Sequence, residues 1–348
     1  MELVNPLANR LVRRELKRPM AWLQKRRQPR AMILMYHGVG TAEVDPWSLF
    51  VTPARFADHM AVLRQHAVPM SLIELGRRHS DASVPDRAVA VTFDDGYLNN
   101  LSNATPILER FGVPATVFVI NQPVAEQREF WWDELAALVL RPGKLPEHLA
   151  VAEFQPIEVG SARRYTEAEY RSDHDYVEGI GEPGPRLVLY NRLWELFMPM
   201  EHAARQRALT DLAEQLGVDV EHRSDYQPLS SEQVIELDRS IVDVGAHTLT
   251  HPLLPQLTRT EQLAEVRQSK ASLEDQLNRT VDIFSYPFGG RSQTTVEVVR
   301  EAGFRLACTT VPETVSEGNH SLEMPRFDVK NWTGDEFERR LQKWYRYL

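Results

Sequence analysis

The chain has 348 residues, 43% of them hydrophobic, and a formal net charge of −9, enough for one large α/β domain with a sizeable core. Its lone cysteine, Cys308, excludes a disulfide framework and a cysteine metal cluster. No apolar run approaches the roughly 18 residues of a membrane span, and the N-terminus has no stretch resembling a secretory signal; the expected address is the cytoplasm or the inner face of the membrane.

The charge is uneven. Residues 1–30 hold nine Arg or Lys against Glu2 and Glu15, leaving a formal −16 on the remainder. An acidic body argues against nucleic acid as a partner. The leader interleaves Leu3, Leu7, Leu11, Met20, Trp22 and Leu23 with its basic residues. It reads as a basic amphipathic segment able to lie on an anionic membrane surface; the alternative is a solvated N-terminal helix.

Residues 31–348 read as one catalytic unit. Met32–Tyr36 is the first strand, followed by helices over about Thr52–His66 and Ser71–Arg78, with Thr52 and Ser71 as caps. Ala88–Phe93 is a β-branched apolar run that stops at Asp94-Asp95-Gly96, as a buried parallel strand stops at a loop. A helix over Ser102–Arg110, a turn at Gly112-Val113-Pro114 and a strand over Ala115–Ile120 continue the alternation expected of a parallel sheet or barrel.

From about 121 to 229 the rhythm is lost. Helices are predicted over Glu129–Leu140, Arg186–Phe197 and Glu201–Leu216, between loops rich in Pro and Gly, so the segment reads as a large helical insertion. The alternation resumes with a helix over Ser230–Leu237 and a strand over Ser240–Gly245 that leads into His247. Thr258 and Glu261 form a capping box for a helix to about Leu277. A strand over Val281–Tyr286, a helix over Thr294–Ala302, strands over Phe304–Thr309 and Glu323–Val329, and a helix over Gly334–Tyr347 complete the chain.

Two segments carry chemistry. In Thr92-Phe93-Asp94-Asp95-Gly96-Tyr97 two carboxylates stand together at the end of an apolar strand, where burying both charges is costly unless a cation compensates. A divalent ion can take one carboxylate and leave the other free. In His247-Thr248-Leu249-Thr250-His251-Pro252 the histidines are four apart, as on one side of a helical turn, and can grip one metal. One carboxylate and two imidazoles leave open positions for water and substrate, the layout of a catalytic site. Taken singly, an Asp-Asp-Gly is more often a turn and a histidine pair more often two surface groups. Both at the carboxyl ends of barrel strands point to an active site.

The segments TFDDGY and HTLTHP resemble the first two motifs of the polysaccharide deacetylases, the NodB-homology group or carbohydrate esterase family 4. Tyr286-Pro287-Phe288-Gly289 resembles the third, a Pro-aromatic-Gly turn. The resemblance covers roughly residues 31–120 and 230–330. It implies a distorted (β/α)7 TIM-like barrel and hydrolysis of the acetamido group of an amino sugar. It implies Asp94 as general base and Asp95, His247 and His251 as ligands of one divalent metal, most often zinc, with cobalt, nickel and manganese as the other candidates. It implies an oxyanion donor in the Phe288 N–H, within the turn of Tyr286 and Pro287.

The chain departs from the family pattern in three places. Many members carry an Arg paired with the base where this chain has Ser285; Arg326, in Met324-Pro325-Arg326-Phe327-Asp328, is the candidate to supply that charge. The late Leu-x-His motif with the general acid is missing, and His320 sits in a polar loop. His37, after the first strand, resembles the early Tyr-His that fills this role in the exopolysaccharide branch; the alternative is a structural histidine. Third, Asp95 and His247 are 152 residues apart, far more than in compact members. Phe130-Trp131-Trp132-Asp133-Glu134 opens the insertion's first helix. Tyr97, Trp131 and Trp132 are candidates to line a substrate cleft, against a packing role for the tryptophans.

The expected substrate is an amino-sugar glycan of a bacterial surface, its precursor or a lipid-linked intermediate. Removal of a formyl or O-linked acetyl group is the neighbouring reading. A glycoside hydrolase is disfavoured, because adjacent aspartates do not straddle a glycosidic bond about 5–9 Å apart. A non-catalytic sugar-binding or scaffold protein on the same barrel is opposed by the intact Asp94, Asp95, His247 and His251.

Overall fold

Seven apolar runs line up side by side as parallel strands. They are β1 (Met32–Tyr36), β2 (Ala88–Phe93), β3 (Ala115–Val119), β4 (Val242–Ala246), β5 (Ile283–Ser285), β6 (Leu306–Cys308) and β7 (Phe327–Asp328). Their order is β6-β5-β4-β3-β2-β1-β7, with the short strand Val68–Pro69 beside the start of β2. A parallel bridge between Cys308 and Met324 joins β6 to the segment entering β7, so the sheet curls back on itself as a distorted (β/α)7 barrel. Every residue of β1, β2 and β3 is buried. That is why these strands read as continuous apolar runs: such a sheet is covered on both faces. The computed structural model describes residues 31–174, 182–218 and 223–347. The basic leader 1–30, with its proposed membrane contact, lies outside the described residues. Among those described, no helix is long and apolar enough to cross a membrane.

The outer helices begin where capping chemistry places them. Pro53–His66 (α1) and Leu72–Ser80 (α2) start behind Thr52 and Ser71, whose side chains accept backbone N–H groups. Helix α3 (Thr105–Phe111) is shorter than its predicted span, because a π-turn occupies Asn100–Ala104. That turn has a use at the site. Asn100 Nδ2 donates to the His37 carbonyl at 2.7 Å, and Asn99 Oδ1 accepts the Val39 N–H at 2.9 Å.

The segment between β3 and β4 builds a second apolar cluster. Helices α4 (Trp131–Val139), α5 (Pro185–Phe197) and α6 (His202–Leu216) pack together, and Phe50, Tyr97 and Ile120 of the barrel loops join their core. Two small antiparallel pairs also lie there, Gly143–Lys144 with Arg164–Tyr165 and His148–Leu149 with Ile157–Glu158. A mainly helical reading missed them, because two-residue strands leave no periodicity to detect. The segment's end is tied back to the barrel: Leu98 N–H donates to the Gln227 carbonyl and Leu229 N–H to the Gly96 carbonyl. Helices α7 (Ser231–Asp238), α8 (Arg259–Leu277), α9 (Gln293–Glu301) and α10 (Gly334–Tyr347) complete the outer layer.

Candidate active site

The loops after β1, β2, β4 and β5 leave the same end of the barrel, and they carry His37, Asp94 and Asp95, His247 and His251, and the Tyr286–Gly289 turn. All four motif residues Asp94, Asp95, His247 and His251 are buried, none more than 5% exposed.

The His247–His251 segment is not the helical turn that the spacing predicted. It is a loop in which Thr248 and His251 take left-handed backbone angles, φ 67° and 60°. Such angles are unfavourable for these residues, and named side chains hold them. Glu265 of α8 accepts the N–H of Leu249 (3.0 Å) and Thr250 (2.9 Å) and the Thr250 hydroxyl (2.7 Å). Thr248 Oγ1 accepts the His251 N–H at 3.0 Å. The loop thus turns both imidazoles inward without a helix, and Glu265, unnoticed in the sequence for want of any motif, is its clamp.

His247 Nε2 and His251 Nε2 each lie 3.6 Å from Asp95 Oδ1. The three ligand atoms fall within 4.8 Å of one another. Four ligands about 2.1 Å from a tetrahedral zinc stand roughly 3.4 Å apart, so the spacing is that of atoms sharing a cation. The tautomer agrees: His247 Nδ1–H donates to the Ser285 carbonyl at 2.8 Å, leaving the Nε2 lone pair directed at the site. Burial pushes both imidazoles down, and His247 and Arg205 push His251 further, so both rings are neutral as ligands must be. Asp95 is pushed well up by burial and by the carboxylates of Asp94 and Asp133, the condition of an anion that needs a cation beside it. The residues fit a divalent metal.

Asp94 has its own partner. Arg326 reaches up from the start of β7 and pairs through both ends of its guanidinium, Nη1 to Oδ1 at 2.7 Å and Nη2 to Oδ2 at 2.6 Å. The same guanidinium donates to Thr92 Oγ1 (3.1 Å), Ser285 Oγ (2.8 Å) and the Thr309 carbonyl (2.8 Å). Burial alone would raise the Asp94 carboxyl, but the Arg326 charge outweighs it and His247 adds to it, so Asp94 stays well below the usual carboxylate range. Ser285 serves as a hydrogen-bonded floor for the pair, and its hydroxyl also reaches Asp94 Oδ2 at 3.3 Å.

His37 sits at the edge of this group, partly buried, and feels the charge of Asp94. Burial pushes its imidazole down to about 4. In the third-motif turn Phe288 has φ 56°, a left-handed angle that a bulky residue rarely holds. The turn is closed by Gly289 N–H to the Tyr286 carbonyl (2.8 Å), and a side chain on Gly289 would collide with Thr310 Oγ1. The Phe288 ring, 39% exposed, stands edge-on to His251 with centroids 4.5 Å apart. Pro287 is buried; the Tyr286 side chain points into the core, its hydroxyl donating to the Leu322 carbonyl, so this turn offers the site its backbone and the Phe288 ring.

Of the two roles open to Trp131 and Trp132, the structure shows packing, and Tyr97, the third cleft candidate, packs with them. Tyr97 is fully buried and the tryptophans are 4% and 5% exposed. Trp132 Nε1–H donates to Tyr97 Oη (3.0 Å), and Tyr97 donates to Asp133 Oδ2 (2.7 Å). The Trp132 ring lies 4.9 Å from that of His251. Covering by the insertion turns these rings into packing that backs the site, with no face left for a sugar.

The family described as polysaccharide deacetylase matches residues 81–160 and 205–307, just over half the chain. YxkH of Bacillus subtilis (strain 168), a polysaccharide deacetylase by name, is 19% identical over 310 residues, 88% of this chain and 74% of its own. Among solved structures, the deacetylase PplD of Streptococcus pyogenes in complex with acetate superposes with a TM-score of 0.56 at 19% identity, covering 90% of this chain and 98% of its own. IcaB from Ammonifex degensii gives 0.56 at 19% identity, covering 91% and 97%. These two likenesses share the barrel. With the family match over both motif-bearing halves, they lead to one conclusion: the chain belongs to the polysaccharide deacetylase family.

Proposed function

We propose that the protein is a metal-dependent hydrolase that removes the acetyl group from an N-acetylated amino sugar of a bacterial surface glycan, its precursor or a lipid-linked intermediate. One observation carries the reading: Asp95, His247 and His251 present their ligand atoms to a common point beside a second carboxylate, Asp94, that is tied to Arg326 and takes no part in that set.

A divalent cation held by Asp95, His247 and His251 supplies a Lewis acid that polarises an acyl carbonyl and acidifies water. Asp94 takes the proton of the attacking water. Arg326 keeps Asp94 ionised and fixes its plane, at the cost of making it a weak base. The Phe288 N–H donates to the oxygen on which charge develops. His37 delivers a proton to the leaving nitrogen. With its pKa near 4 the ring is neutral in the resting site, so it first takes up the proton that Asp94 has removed from the water and then passes it to the leaving nitrogen, which has become basic in the tetrahedral intermediate; Asp94 and His37 both end as they began.

Acetate release from N-acetylglucosamine oligomers tests the reading. Chelation abolishes release and zinc or cobalt restores it. Asp94→Asn retains one zinc and loses turnover by about 10²–10⁴-fold, the usual worth of a positioned base. His37→Ala retains zinc and also slows release steeply. Purified protein that holds no metal, or an Asp94→Asn variant with full turnover, overturns the proposal.

A further inference from the structure

Where the barrel meets the insertion, a small cavity opens against His251. Trp131 of α4, Gln206 of α6 and His251 line it, and it has about 10 Å³ of room for the centre of a water molecule. Each of the three carries a buried polar atom with no partner among the described residues: Trp131 Nε1, Gln206 Oε1 and His251 Nδ1. Trp131 and His251 are only 4% and 5% exposed, so bulk water does not serve them. Buried polar atoms left without a partner are costly. Three of them around one cavity form a complementary set of two N–H donors and one carbonyl acceptor. A single water accepts two hydrogen bonds and donates two, and a cavity of this size holds one. The wall is fixed from outside by Arg205, whose guanidinium lies 4.9 Å over the Trp131 ring and donates to the Thr250 carbonyl at 3.3 Å.

We propose that Trp131 and Gln206 hold one water that receives the His251 Nδ1–H, so that the insertion orients this imidazole with Nε2 toward Asp95. His247 gets the same service directly, from the Ser285 carbonyl. For His251 the bridge makes Trp131 and Gln206 positioning residues, acting on the metal through its ligand. This role rests on the proposed function, since the bridge has a purpose only where His251 is a ligand. It gives the long insertion a task at the metal centre.

Zinc affinity of the full chain, measured by competition with a chromogenic chelator, tests it. Gln206→Leu removes the acceptor and Trp131→Phe removes a donor while keeping an aromatic ring; each weakens zinc by about tenfold or more, the range for a lost partner of a ligating histidine. Gln206→Glu keeps an acceptor and restores affinity toward that of the parent. Thermal midpoints of the metal-free forms separate positioning from structure: a merely structural role lowers the midpoint and leaves zinc affinity alone. If the parent binds one zinc, His251→Ala binds none, and both Gln206→Leu and Trp131→Phe bind as tightly as the parent, the bridge is overturned and the ligand assignment stands. If His251→Ala keeps full affinity, the ligand assignment itself falls and the bridge with it. Should Gln206→Leu not fold, Trp131→Phe decides alone.

Discussion

Arg326 is fully buried inside the barrel, and its charge is met by Asp94. Removing one member of such a pair leaves the other stranded and costs roughly 3–5 kcal/mol, whereas removing both is far cheaper. Arg326→Met is therefore expected to lose that much in urea unfolding, and Asp94→Asn combined with Arg326→Met to recover most of it; additive losses would show that the two side chains are not coupled. The sequence pointed to Arg326 through Ser285, a small residue where a charge was expected. It did not reveal Thr92 or Thr309 as further partners, because a hydroxyl in a strand and a backbone carbonyl carry no pattern. It left Tyr97 as a candidate for a cleft, and Trp131 and Trp132 open between lining that cleft and packing. An aromatic residue near a motif looks the same whether its face meets substrate or another ring, and only the packing of α4 decides.

At the scale of elements, most strands and capped helices were legible to within about two residues at each end, since β-branched runs and Ser or Thr caps are local signals, but the last strand, read over Glu323–Val329, pairs only at Phe327–Asp328. The His247–His251 loop was not, because a spacing of four is helical by default and the clamp, Glu265, comes from another element. Glu265→Ala removes three acceptor contacts from that loop. It is expected to cost about 1–3 kcal/mol, to speed hydrogen exchange at the Leu249 and Thr250 amides and to weaken zinc binding. Unchanged exchange there would remove Glu265 from its role. A second junction predicts a pH effect. His59 on α1 donates Nε2–H to the Trp332 carbonyl at 2.9 Å, faces the Tyr36 hydroxyl and stacks on Phe337 of α10. Burial pushes its imidazole down to about 4, against about 6.5 in the unfolded chain. The unfolded state then binds the proton first as pH falls. The stability from burying neutral His59 is complete above about pH 6.5 and drains away toward pH 4, at up to roughly 1.4 kcal/mol per pH unit. His59→Gln, which cannot titrate, should show a flatter fall over that window than the parent in urea titrations at stepped pH.

Across the whole molecule, the barrel and the insertion share their apolar surfaces. Phe50, Tyr97 and Ile120 belong to barrel loops yet sit in the insertion's cluster, and Trp132 of the insertion packs on a barrel histidine. Polar contacts cross the same boundary, since Tyr97 of the barrel loop donates to Asp133 Oδ2 at 2.7 Å, and within the insertion Arg223 ties its end to its start by pairing with Glu129 at 2.6 Å. A junction so apolar leaves neither part a finished surface of its own, so the two should unfold as one cooperative unit. In a variant with Trp22, Trp332 and Trp344 replaced by phenylalanine, urea unfolding followed by tryptophan fluorescence reports on the insertion and its junction, where Trp131, Trp132 and Trp194 lie and Trp47 packs on Trp194; far-UV circular dichroism reports on all helices and strands. The two transitions are expected to coincide in the metal-free protein. Zinc at about 100 times its dissociation constant should move both together by about 2.7 kcal/mol, because ligand bound to the native state alone stabilises whatever unfolds with its site. A fluorescence transition that precedes the dichroism change, or that zinc leaves in place, would mean that the insertion is an independent lobe. The packing of Trp132 against His251 and the water bridge proposed beside it would then have no means of holding the metal centre.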